Sequence, residues 1–203
     1  MSISLLRKLE VLDLTRSGIE SYALLSLIQK NENLTHLYLA FNNQLNVDQV
    51  CIQLATYCQN LRVLDIWKCN NLTTNGLRAI SSCDRLEILD LGWNLREEGH
   101  ITDTFKLLIQ NCQNLRRIVL AAVRGIAERD LLNVASFCRK LEHLDLMGIV
   151  GMSSEAVLKI LQQCERLKVL DLSFCENLDD LTLLRWSSEF DVSIKRSEVP
   201  NDN

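Results

Sequence analysis

A six-residue phrase returns seven times along the 203-residue chain. LEVLDL starts at Leu9, LTHLYL at Leu34, LRVLDI at Leu61, LEILDL at Leu86, LRRIVL at Leu115, LEHLDL at Leu141 and LKVLDL at Leu167. The leading leucines stand 25, 27, 25, 29, 26 and 26 residues apart. One unit of that size cannot bury its own apolar face, so like units must stack in a row. Within LEVLDL the alternation is that of a short strand: Leu12 and Leu14 point to one face, Val11 and Asp13 to the other. Between phrases, NVDQVCIQLATYC, TDTFKLLIQNC and SSEAVLKILQQC repeat apolar residues at three and four (Val157, Leu158 and Leu161 in the last), the spacing of an amphipathic helix. Thr102 and Ser153 stand where helix N-caps belong. DLTLLRWSS reads as a final helix with Trp186 in its core, followed by a last partial strand over Phe190 to Ile194.

The LxxLxL pattern at a period of 20–29 residues is the leucine-rich-repeat signature. The expected fold is therefore an α/β leucine-rich-repeat solenoid, curved, with a parallel β-sheet on the concave face and α-helices on the convex face. It should hold about seven repeats plus a terminal strand. Residues 1–196 read as one repeat domain and 197–203 as a polar tail. One proline and seven glycines argue against a turn-rich sandwich or barrel. No apolar run approaches 18 residues, so no transmembrane segment is expected. The first fourteen residues carry charges through the would-be apolar stretch and do not read as a signal peptide. A net charge of −4 leaves no basic footprint, so nucleic acid is not an expected partner.

Eight cysteines raise the question of disulfides, and their placement answers it. Cys58, Cys83, Cys112, Cys138 and Cys164 each lie three residues before a leading leucine, in a slot held by Asn31 and Leu6 in the first two units. A slot filled so variously has no obligatory pairing, and a buried free cysteine acts as a small hydrophobe. Cys69 and Cys175 share a second slot, three residues after the phrase, with Ser17, Asn42 and Asn94. There a small polar group can bond loop backbone. Val123 and Ile149 break that ladder, so weaker loop order is expected after the fifth and sixth strands. Free cysteines point to an intracellular, reducing compartment, cytoplasm or nucleus.

Candidates for catalysis are few. His36 and His143 share an outward strand position four units apart, and His100 lies in EEGHIT near Glu97 and Glu98. No nucleophile–base pairing, phosphate-cradling glycine loop, HExxH or zinc-spaced cysteine pair occurs. The chain does not read as an enzyme, and no cofactor or metal is expected. Asp13, Asp65, Asp90, Asp145 and Asp171 form an outward column interrupted by Tyr38 and Val119. It reads as solvated architecture, partly neutralised by Arg62, Arg116 and Lys168.

A binding surface is the better reading. Just after the phrase, at the concave face or its rim, come Phe41, Trp67, Trp93, Met147 and Phe174. Large apolar groups in an exposed column invite a covering partner, and hot spots favour tryptophan, tyrosine and arginine. Tyr38, Arg117 and Arg124 lie close by in the reading. The competing view is that these aromatics pack between units at the strand ends. The longest unit carries its insertion at NLREEGHIT, directly after Trp93, which marks the middle of the array as the expected recognition centre.

The phrases YCQNLRVLDIWKCNNLTTNGL and LQQCERLKVLDLSFCENLDD resemble the cysteine-containing repeats of the F-box/leucine-rich-repeat family. So do LEILDLGWNLREEG, NCQNLRRIVLAA and FCRKLEHLDLMG, with the ending FDVSIKRS. The resemblance implies the substrate-recognition part of an SCF-type (cullin–RING) ubiquitin ligase receptor, holding a substrate protein on the concave face. Adaptor and cullin would be reached only through an F-box, and the first repeat begins by Leu9, so an F-box is not expected in this chain. The resemblance also implies that a cytosol-facing mitochondrial surface is a place to look. Leu5, Leu6, Leu9, Leu12 and Leu14 would leave an apolar end face, which suggests a fragment, a shortened product or a partner there. The alternative is a stand-alone scaffold or inhibitor, similar to the F-box-less antagonists of the mitotic exit network.

Overall fold

A computed structural model describes residues 6–94, 101–176 and 178–197. Eight three-residue strands form one parallel sheet in chain order: β1 (Val11–Asp13), β2 (His36–Tyr38), β3 (Val63–Asp65), β4 (Ile88–Asp90), β5 (Arg117–Val119), β6 (His143–Asp145), β7 (Val169–Asp171) and β8 (Ser193–Lys195). Seven helices alternate with them: α1 (Ser21–Lys30), α2 (Val47–Tyr57), α3 (Thr74–Ile80), α4 (Thr102–Asn111), α5 (Glu128–Phe137), α6 (Ser154–Gln163) and α7 (Asp180–Glu189). This is the solenoid that the repeat period implied. Its curvature has a simple origin, because strands stack about 4.8 Å apart while helices need roughly 8–10 Å. The sheet is forced to the inside of the bend.

Register runs unbroken, with the central residues Leu12, Leu37, Leu64, Leu89, Ile118, Leu144, Leu170 and Ile194 in line. From Leu37 to Leu170 these are fully buried, each worth roughly 1.5–3 kcal/mol of burial. The terminal strand falls on Ser193–Lys195, beginning later than the Phe190–Ile194 expected. Phe190 is the C-cap of α7 instead, its N–H donating to the Trp186 carbonyl. Trp186 is buried in that helix, as expected. The backbone ladder reaches Ser197, whose carbonyl accepts from Phe174 N at 2.8 Å, one residue into the expected tail.

Ser153 caps α6, its hydroxyl accepting from Ala156 N at 3.2 Å. Thr102 does not cap α4. It is the first helical residue, after Ile101, and its hydroxyl donates sideways to Asp130 Oδ2 of the next unit at 3.2 Å. Cross-unit bonds of this kind recur at the helix N-termini. Asp48 Oδ1 accepts from Thr73 N at 2.8 Å and Gly76 N at 3.1 Å, and Glu128 Oε2 accepts from Ser153 N at 2.9 Å.

All eight cysteines are free and buried. In the slot before the leading leucine, Cys58 and Cys112 donate back to the carbonyls of Asn31 (3.7 Å) and Cys83 (3.3 Å) in the preceding unit. Burial pushes these thiols up, Cys58 to about 11 and Cys112 to about 12. At the first end of the array, Leu9 and Leu12 are half-buried, while Leu6 (38 %) and Val11 (56 %) are exposed.

Candidate functional site

Each of the first seven strands leads into a three-position turn, and the turn builds the rim of the concave face. At its second position stand Arg16, Phe41, Lys68, Trp93, Ala122, Gly148 and Phe174, all with φ between 53° and 69°. This left-handed conformation normally favours glycine, yet six of the seven are other residues. The compensation is a second ladder. The N–H of each donates to the first-position carbonyl of the next unit (Arg16 to Ala40, Phe41 to Trp67, Lys68 to Gly92, onward to Phe174 and Ser197) at 2.8–3.0 Å.

The third position holds the asparagine and cysteine slot, and its side chains reach back one unit. Asn42 Nδ2 donates to the Leu14 carbonyl at 2.8 Å, Cys69 Sγ to Leu39 at 3.1 Å, Asn94 Nδ2 to Ile66 at 2.6 Å and Cys175 Sγ to Leu146 at 3.2 Å. Val123 and Ile149 supply no such donor, and backbone bonds from Val123 N to Leu120 and Ile149 N to Leu146, each 3.0 Å, close those turns.

The aspartate column fixes the first turn position. Asp13, Asp65, Asp90, Asp145 and Asp171 each accept, through Oδ1, from the N–H two residues on, at 2.9–3.0 Å. The carboxylates are therefore committed to the backbone. From Asp65 to Asp171 they are half-buried, so the column is structural and less solvated than its sequence suggested. Burial pushes the carboxyls of Asp65, Asp90 and Asp145 up, Asp90 to about 7, against the pull of the turn N–H and Arg117. The expected neutralisation by Arg62 and Arg116 goes elsewhere. Arg62 pairs with Glu87 at 3.1 Å and Arg116 with Glu142 at 2.7 Å, in a neighbouring row of their own.

The large apolar residues expected at the rim divide between two turn positions. Trp67 and Met147 stand at the first, Phe41, Trp93 and Phe174 at the second. Trp67 lies across the next unit, where Gly92 makes room: a Cβ there would stand 2.9 Å from Trp67 Cδ1. Its ring meets Phe41 with centroids 5.6 Å apart. Lys68, which sequence reasoning passed over, joins Trp93 to this pair, its Nζ 4.5 Å from the Trp93 ring centre, 5.4 Å from Trp67 and 5.6 Å from Phe41. Arg16 covers Phe41 at 4.2 Å. The second-position row thus alternates cation and aromatic over its first four members, an arrangement worth roughly 0.5–2 kcal/mol per contact. The clue in the sequence was the shared offset of Arg16 and Lys68 with Phe41 and Trp93.

Phe41, Trp67 and Trp93 are all half-buried, partly packed and partly open. Both indole N–H groups are screened from solvent without an acceptor. Tyr38 lies on the concave face between Asp13 and Asp65, half-buried, and Arg117 stands exposed between Ile88 and His143. Met147 and Phe174 stand apart from the aromatic group, with Phe174 42 % exposed. Most of the NLREEGHIT insertion, with His100, lies outside the described residues. Among the described residues no group of three or more His, Cys, Asp or Glu is placed to hold a metal, and no helix is long and apolar enough to cross a membrane.

The family model for the leucine-rich repeat matches residues 57–81, the end of α2 through α3. F-box/LRR-repeat protein 4 of Bos taurus is 45 % identical over 192 residues, 93 % of this chain and 31 % of that protein. These are the repeats of the F-box/leucine-rich-repeat family. The F-box/LRR resemblance drawn from the cysteine-bearing phrases is thereby borne out, over a chain that spans 31 % of its curated relative. Among solved structures, internalin C2 of Listeria monocytogenes superposes with a TM-score of 0.57 at 14 % identity, covering 94 % of this chain and 80 % of its own. A chain of the yeast Rad7 and Elc1 complex gives 0.56 at 17 %, covering 78 % and 47 %. At these identities both speak for the fold alone.

Proposed function

We propose that this F-box/LRR repeat domain, a protein-interaction module, is the substrate-recognition part of an SCF-type ubiquitin ligase receptor. It performs no chemistry on its substrate. It holds a protein against the concave face, with Tyr38, Phe41, Trp67, Trp93 and Arg117 as its principal contacts and Met147 and Phe174 beyond them. The observation that carries this reading is the half-exposed group of Phe41, Trp67 and Trp93 around Lys68 on a rigid hydrogen-bonded rim. Half-exposed aromatics beside cations are the residue types that dominate binding energy at protein interfaces. Adaptor and cullin are engaged through an F-box outside these repeats. Holding the substrate there raises its local concentration at the transfer machinery. A reducing compartment, cytoplasm or nucleus, suits eight free thiols.

The test compares proteins captured in cells by the chain and by its Trp67→Ala variant, then measures the affinity of one purified partner. The expected loss is about thirtyfold, equivalent to about 2 kcal/mol at a hot spot, with the thermal midpoint little changed. A partner held equally well by Trp67→Ala and Arg117→Ala would refute concave-face recognition. Direct binding of the purified chain to the adaptor would refute the assignment of docking to a separate F-box.

A further inference from the structure

We infer that a notch beyond Trp93 receives one bulky apolar side chain from a partner segment whose flanking residues are acidic. The inference rests on the reading of this domain as a protein receiver and specifies the chemistry of what it receives.

The notch follows from the second turn position. Trp93 and Phe174 stand there in the fourth and seventh units, and Ala122 and Gly148 stand between them. With unit spacing of about 4.8 Å at the sheet, two small residues between two aromatics leave a gap about the width of a large side chain. An open cleft of about 910 Å³ occupies this place, bounded by Trp93, Ala122 and Gly148. Its floor is apolar, because Val123 and Ile149 replace the polar third position there, and Ile126 joins them; all three are buried. At its lip Val150 is 70 % exposed. Among the described residues a Cβ added at Gly148 would meet nothing within 4 Å, so they leave this part of the rim open rather than packed.

Charge selects the occupant's flanks. Arg124 lines the cleft, is exposed, and forms no ion pair among the described residues. Along the same rim Lys68 and Arg16 lie on aromatic faces and form no ion pair among the described residues. Among the described residues the column acids at this part of the rim do not serve them, since Asp90 and Asp145 are tied to the turn N–H groups of Gly92 and Met147 on the strand side. A segment carrying glutamates or aspartates beside its apolar anchor supplies the missing counter-charge. A basic segment would bring like charges together.

The second turn position itself provides the test variants. Phenylalanine and tryptophan already adopt its left-handed backbone in other units, so Ala122→Phe fills the notch without a new demand on φ, and Gly148→Phe takes on only the left-handed strain that Phe41 and Phe174 already carry. A phage-displayed library of random dodecapeptides is panned on the full chain, and the enriched peptide is synthesised and titrated. The expected consensus is a large apolar residue flanked by acids. Its affinity should fall at least tenfold with Ala122→Phe or Gly148→Phe and severalfold with Arg124→Glu, in variants whose circular dichroism matches the wild type. A basic consensus, no enrichment, or wild-type binding by both notch-filling variants would overturn the inference. Silent notch variants together with loss of the cellular partner in Trp67→Ala would sink this inference alone and leave the proposed function standing. Wild-type affinity for that partner in Trp67→Ala and Arg117→Ala would instead remove the function it rests on.

Discussion

Asn42 offers the sharpest test of the turn ladder. It is fully buried, and its amide donates to the carbonyls of Leu14 at 2.8 Å and Leu39 at 2.7 Å while its Oδ1 accepts from Gly18 N at 2.9 Å. Asn42→Val removes all three bonds. The two carbonyls keep backbone donors, Ser17 N at 3.0 Å and residue 42's own N–H at 3.3 Å, so of the backbone groups only the Gly18 N–H loses its protein partner. Gly18 is exposed, so water takes up its freed N–H, and three net hydrogen bonds at about 1 kcal/mol each make roughly 3 kcal/mol. Apolar burial by valine returns about 1 kcal/mol, leaving a destabilisation of about 2 kcal/mol. For a chain of this size that lowers the thermal midpoint by roughly 4–8 °C. Thermal unfolding by circular dichroism reads the midpoint, and hydrogen exchange reads the Gly18 amide. A shift below about 2 °C, or unchanged protection at Gly18, would refute the ladder as a source of stability. The same exchange data should show faster exchange in the turns holding Val123 and Ile149 than in the turn holding Asn42, where the side-chain rung is present.

Two further outcomes follow from the concave rim. Gly92→Ala places a Cβ within 2.9 Å of Trp67 Cδ1 and 3.2 Å of Asp90 Oδ1, so the indole must swing outward at a cost of about 1–3 kcal/mol; tryptophan emission should shift to the red, and unchanged emission would contradict the described seat. Asp90 has its folded pKa raised by burial to about 7, above the unfolded value, so the folded state holds the extra proton between roughly pH 4 and 7 and stability falls as pH rises across that window. Asp90→Asn should flatten this fall and raise the urea midpoint at pH 8 relative to pH 5, whereas an identical pH profile in the variant would refute it.

The solenoid was legible because a phrase repeated at one spacing carries both the strand alternation and the helix period. Cysteine slots were legible for the same reason: one offset from the leading leucine, filled variously, is a packing position. The rim was only half legible. Phe41, Trp67, Trp93, Met147 and Phe174 were gathered by size, while the structure sorts them by turn position, since a left-handed second position sends neighbouring side chains to different places. Lys68 and Arg16 were passed over because charge in a turn reads as solvated, although aromatic neighbours one unit away hold both cations. Thr102 misled for a related reason, its hydroxyl being drawn to Asp130 of the adjacent unit by a contact no local motif encodes. The aspartates looked solvated because their alternation pointed outward; the turn that folds over them was invisible in one unit's sequence.

The left-handed row has a consequence for how such a surface changes over time. Backbone demands at those seven places are met by the coil that follows, so closing the turn requires no particular side chain there. Arginine, phenylalanine, lysine, tryptophan, alanine and glycine all occupy the row in this one molecule. Selection, or an engineer, can therefore respell the row one letter at a time and change what this rim presents while the spine beneath is left alone.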